Sequence, residues 1–154
     1  MNLFGLMETS GSAMQAERMR AEIVAANMAN AETTRTETGG PYKRQHVVFA
    51  ANEPDSGFAQ ALAGASRAIQ PTNAAEPPGG VHIAQVFEDN EPPLKRYDPG
   101  HPDAGPDGYV AYPDINPVTE MVDLMGATRA YGLNSSAVQA EKGMITSALE
   151  IAKS

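Results

Sequence analysis

Apolar side chains return at fixed intervals through the last third of the chain. Leu124, Tyr131, Val138, Ile145 and Ala152 recur every seventh residue, and Met121 and Leu149 stand three residues ahead of Leu124 and Ala152. Residues i, i+3, i+4 and i+7 of a helix share a face, so this spacing predicts one long amphipathic helix from Pro117 to Ser154. Its start is marked: Asn116 is a good N-cap, and Pro117 suits the first helical position, where its missing N–H costs nothing. Glu120 and Asp123 lie near the positive end of the helix dipole and Lys153 near the negative end. Gly132 to Ser136 is the poorest helical sequence in the stretch. About 36 residues at ~1.5 Å each give a helix roughly 54 Å long, more than a chain of this size needs for its own core. A helix so long and so narrowly striped is expected to pair with another.

The other end of the chain offers the partner. Between Leu3 and Asn30, Met7, Met14, Ala21 and Met28 repeat at seven, with Leu3, Ser10, Glu17 and Val24 as companions. Ser10 and Glu17 interrupt this register, and Gly5 and Gly11 weaken the helix near its start. Methionine makes the stripe soft and adaptable, suited to packing against several neighbours. Periodicity alone fits an ordinary helical hairpin as well. The helix is expected to stop near Ala31, before a polar run and the break Gly39-Gly40-Pro41.

Period-two patterns fill the middle. Strands are expected at Tyr42–Ala50, Val81–Glu88, Leu94–Tyr97 and Tyr109–Tyr112, separated by the turns Asp98-Pro99-Gly100 and Pro106-Asp107-Gly108. Residues 51–80, rich in Ala, Pro, Gly and Asn, predict a loop or insert with at most a helical turn from Phe58 to Ile69. The fold class is therefore α+β: long terminal helices paired as a coiled-coil-like hairpin, with an antiparallel module of three or four strands between them. Such a module is too small to stand without a helix to pack on. The expected divisions are 1–36, 37–115 and 116–154.

Composition narrows the function. The chain has 154 residues, no tryptophan, no cysteine, and a net charge of −8. Few aromatics and much Gly, Pro and Ala leave little for a deep core, so a marginally stable monomer is expected. The negative charge and the lack of basic clusters argue against nucleic acid. Without cysteine there is neither disulfide nor thiolate chemistry. The first 30 residues lack the basic and apolar regions of a Sec signal peptide, and no run of 18 apolar residues could span a bilayer. His46, His82 and His101 are scattered without metal-ligand spacing. Asp98, Asp103, Asp107 and Asp114 sit beside Pro or Gly, where turn chemistry explains them better than calcium binding or acid–base work. No nucleophile motif or phosphate loop occurs. No enzyme activity, cofactor, metal or small-molecule substrate is expected.

Several stretches resemble a known family. Ala26-Asn27-Met28-Ala29-Asn30-Ala31-Glu32-Thr33 is similar to the N-terminal signature of the flagellar axial proteins of rod, hook and hook-associated structures. Glu120-Met121-Val122 with Ala127-Thr128-Arg129-Ala130-Tyr131 and Asn134 resembles their C-terminal signature. Gly40-Pro41-Tyr42-Lys43-Arg44, Tyr97-Asp98-Pro99-Gly100-His101-Pro102-Asp103-Ala104 and Asp107 to Pro113 look like the proximal-rod branch. The resemblance covers nearly the whole chain. It implies terminal helices that form an inner tube, a β-rich part outside, helical polymerisation into the rod, and export by the flagellar type III apparatus. Copies of the chain, other rod proteins and the export gate or membrane-ring end of the basal body would be its partners. Leu3, Met7, Met14, Val24, Met28, Met121, Leu124, Tyr131, Val138, Ile145 and Leu149 would then form the subunit-packing stripes. Asn27, Asn30, Thr33, Arg129 and Asn134 would be polar signature positions within or between subunits, with Asn30 as a helix cap and Arg129 as a solvated position the plainer alternatives.

Overall fold

The computed structural model describes residues 3–52 and 79–153. The helical turn expected at 58–69 lies outside them. Helix α1 spans Leu3–Ala29 and helix α2 spans Pro117–Lys153; between them come β1 (Gln45–Ala51), β2 (Val81–Glu88), β3 (Leu94–Tyr97) and β4 (Tyr109–Tyr112). The α+β class is as expected from the pattern. Asn116 caps α2 as its chemistry requires: its Oδ1 accepts from Val118 N–H at 3.0 Å, and its carbonyl accepts from Glu120 N–H at 3.1 Å. Nothing breaks at 132–136. There Ser136 donates to the Gly132 carbonyl at 3.0 Å and Asn134 to that of Ala130 at 2.9 Å, so poor helix formers are held by back-bonding to their own turns.

The helices pack antiparallel, with Asn27 opposite Glu120 and Arg20 opposite Asp123. The strands differ from the single module expected. They form two separate antiparallel pairs, β1–β2 and β3–β4. The first pair lies on α1, where Ser12 Oγ accepts from Val81 N–H at 3.0 Å. Gly80 makes that approach possible: with φ at +108°, a Cβ there would stand 2.7 Å from both Ser12 Oγ and Asn52 Nδ2. A register shift at Val48/Phe49 bends the pair.

The second pair meets the loop after α1 rather than a helix. Asp103 accepts from Thr34 Oγ1 at 2.8 Å and lies 3.7 Å from Arg35. Tyr97 and Tyr109 meet edge to face at 5.3 Å, and Arg96 lies 4.0 Å over the Tyr112 ring while donating to its hydroxyl. The 98–108 block closes this hairpin, with Asp98 N–H on the Gly108 carbonyl and Gly105 N–H on that of Tyr109. Asp103 and Asp107 spend their oxygens on these loops and turns.

The core is thin. Among the described residues the buried apolar set is Ala16, Ile23, Val24 and Ala127 where the helices meet, and Val110, Tyr112 and Ile115 around β4.

Candidate assembly interface

Two faces of α2 matter. The face toward α1 is the less apolar. Its buried residues are Glu120, Ala127 and Glu141, which repeat at seven with a second repeat missing only half-buried Asn134. Leu124, Val138 and Ile145 flank this seam half-buried, while Met121, Tyr131 and Leu149 are exposed. On α1, Val24 is buried and Met7, Met14 and Met28 are half-buried; Leu3 opens the helix. The hydrophobic repeat thus marks one flank of the helix contact, and its centre is a polar and small-residue repeat. Hydrophobic periodicity could not find it, because two of its members are glutamates.

The opposite face of α2 is apolar and open. Val118, Val122, Met125, Leu133 and Met144 share this face, each 55–70% exposed. A single exposed apolar side chain is ordinary, whereas a row of them along one helix is the pattern that interaction faces show. Gly126, Gly132 and Gly143 interrupt the helix where an added Cβ would meet nothing within 4 Å. Each costs roughly 1 kcal/mol of helix stability relative to alanine, and no contact among the described residues explains them. The helices are also unequal. α1 has 27 residues and α2 has 37, and Asn27 near the end of α1 meets Glu120 near the start of α2. The surplus, roughly 15 Å at about 1.5 Å per residue, therefore lies at the C-terminal end of α2.

At the other end of the pair a buried polar cluster joins three separate segments. Asn27 and Glu120 are each only 1% exposed. Asn27 Nδ2 donates to the Gln45 carbonyl at 2.9 Å and to Glu120 Oε2 at 3.2 Å. Its Oδ1 accepts from Gln45 N–H at 2.9 Å and from the Tyr42 hydroxyl at 3.2 Å. Both donors and both lone-pair positions of the amide are thus in use. Asn27 also occupies the free edge of β1 at its first residue, as a neighbouring strand would. Arg44 Nη2 lies 2.5 Å from Glu120 Oε1, a close ion pair without hydrogen-bond alignment, and 3.9 Å from Asp123. Arg20 Nη2 meets Asp123 at 3.4 Å.

The remaining signature residues are placed locally. Asn30 donates to the Ala26 carbonyl at 2.9 Å and accepts from Thr33 Oγ1 at 3.2 Å, which closes the end of α1. Arg129 is exposed on the outer side of α2. Sequence reasoning singled out Asn27 but missed the roles of Tyr42 and Arg44 and the burial of Glu120, since no local pattern encodes contacts that span 15 to 93 residues.

Burial, then the charges of Glu88 and Glu120, raise the Tyr42 phenol above its ordinary 10.0. A raised folded-state value means its stabilisation is complete below pH ~10 and is lost as pH rises through the folded value. Tyr42→Phe is therefore expected to flatten the decline in stability above pH ~10 seen in alkaline urea titrations. At the same end of the β1–β2 pair, the Glu91 N–H and then His46 Nε2, both at 3.1 Å, hold the Asp89 carboxyl below its usual range.

Both ends of the chain match known family models. Residues 7–35 match the family model described as "Flagella basal body rod protein", and residues 107–151 match "Flagellar basal body rod FlgEFG protein C-terminal". These two segments cover most of α1 and α2. Full-length relatives are more specific. The chain is 36% identical to the flagellar basal-body rod protein FlgC of Bacillus subtilis, over 99% of this chain and 100% of that one. It is 34% identical to FlgC of Borreliella burgdorferi and 32% to that of Salmonella typhimurium, in each case over 98% of both chains. With both terminal helices and the central turn block accounted for over its whole length, the chain belongs to the FlgC family of structural proteins of the flagellar basal-body rod.

Proposed function

We propose that this chain builds the proximal rod by packing its terminal helices against those of neighbouring subunits, with the two strand pairs carried outside. Residues 1–36 and 116–154 are the assembling part, and 37–115 the outer and connecting part. The observation that carries this reading is the open apolar face of α2, set opposite the face that α1 covers. One helix then makes two different contacts, one within the subunit and one with a neighbour. A contact between unlike surfaces does not close on itself and generates a helical assembly. The thin core agrees, since the burial missing in one subunit would be supplied by the next. Partners on this reading are copies of the chain, other rod proteins, and the export-gate or membrane-ring end of the basal body. Export through the flagellar type III channel would carry the chain there, and loosely paired helices suit passage as an unfolded strand.

Met125→Asp with Leu133→Asp tests the reading. Both positions face away from α1, so the isolated chain should keep its circular dichroism within about 10%, as surface substitutions usually do. Two carboxylates in an apolar subunit contact would each cost several kcal/mol, so rods and swimming should be lost. A motile strain carrying both substitutions would refute the role given to this face.

A further inference from the structure

The polar cluster at the mouth of the helix pair does more than satisfy its own hydrogen bonds. Glu120 sits in the first turn of α2 and is almost wholly buried, yet no cation on either helix lies within 4 Å of it: among the described residues Arg44 alone does, while Arg20 is engaged with Glu17 and Asp123. Arg44 belongs to the segment leading into β1. Its carbonyl accepts from Asp89 N–H at 2.7 Å, which ties it to the end of β2 as well. Removing one partner of a buried ion pair leaves an uncompensated charge, which is far more damaging than removing both.

We infer that Arg44 and Glu120 form a latch that makes close pairing of α1 with the start of α2 conditional on docking of the β1–β2 pair. With the strands in place, Arg44 neutralises Glu120, and Asn27 bridges Gln45 to Glu120. With the strands undocked, Glu120 is a lone charge against α1, and the first turns of α2 move out to hydrate it. The outer strands and the inner helices are thereby made one cooperative unit. This inference rests on the intrachain geometry and is independent of how subunits contact one another.

Four chains test it: wild type, Arg44→Met, Glu120→Gln, and the double variant. Amide exchange is read at Gln45 and at Met121 to Leu124 in the full chain, and swimming is read in a host lacking its own copy. Arg44→Met should lower protection at both segments at least ~30-fold, in line with breaking a buried pair, and abolish swimming. Glu120→Gln keeps the shape and the acceptor for Asn27 and should change protection less than about 10-fold. The double variant should regain most of the protection and the swimming lost by Arg44→Met alone, a rescue that packing loss at Arg44 would not show. A double variant as impaired as Arg44→Met, or an Arg44→Met chain matching wild type, overturns the latch. Restored protection without restored swimming would uphold it and count instead against the proposed mode of assembly.

Discussion

Asn27→Ala is expected to lower the stability of the folded chain by about 3 kcal/mol, more than any exposed substitution. The side chain itself is small, so lost packing contributes little. The cost comes from what remains: a Gln45 N–H and carbonyl, a Tyr42 hydroxyl and a Glu120 oxygen, all of which now share Asn27. A buried group left unpaired loses its hydration without replacement, at roughly 1–3 kcal/mol each where water cannot enter. Urea unfolding followed by circular dichroism reads the change directly. A loss below ~1 kcal/mol would mean that water reaches this cluster and that Asn27 is not its hub. Asn27→Asp should be at least as damaging, since it sets a second carboxylate beside Glu120.

Replacing Gly126, Gly132 and Gly143 together by alanine should act in the opposite direction on the isolated chain. Among the described residues nothing within 4 Å opposes a Cβ at any of the three. Each alanine should add up to about 1 kcal/mol of helix propensity, and together they should give roughly 2–3 kcal/mol. In the rod the same change should be harmful. Small residues let helix backbones approach closely, and methyl groups at such a contact force the neighbours apart. The triple variant is therefore expected to melt higher and to assemble worse. Improved stability with undiminished swimming would show that these glycines serve no subunit contact.

Both expectations concern features that the hydrophobic pattern could not display. Elements governed by local rules were legible. Asn116 and Pro117 fix the start of α2 through capping chemistry, and the four strands follow from short β-branched or aromatic stretches between turn residues, although β1 begins at Gln45 rather than Tyr42. The two-sheet arrangement was hidden because strand pairing is decided by distant partners: Asp103 ties the second hairpin to Thr34, and Ser12 fixes the first to α1. The stripe through Leu124, Val138 and Ile145 was legible as apolar, yet the most buried positions on the same helix are Glu120, Ala127 and Glu141. A buried glutamate reads as a solvated one until its counter-ion is known. Arg44 lies 76 residues away in sequence and carries no local mark of that role. The outer face escaped for a different reason. Its residues are spaced as regularly as those of the inner one, and a single chain gives periodicity no means of telling which apolar row meets its own partner and which meets a neighbour.

The chain's lack of cysteine allows the decisive measurement. A single cysteine placed at Met125 or Leu133 can be challenged with a maleimide, first in the free chain and then in purified basal bodies. Rapid labelling of the free chain and strong protection in the assembled rod are the predicted results. Equal labelling in both states would mean that no neighbour covers this face of α2, and the account of assembly through the terminal helices would be contradicted.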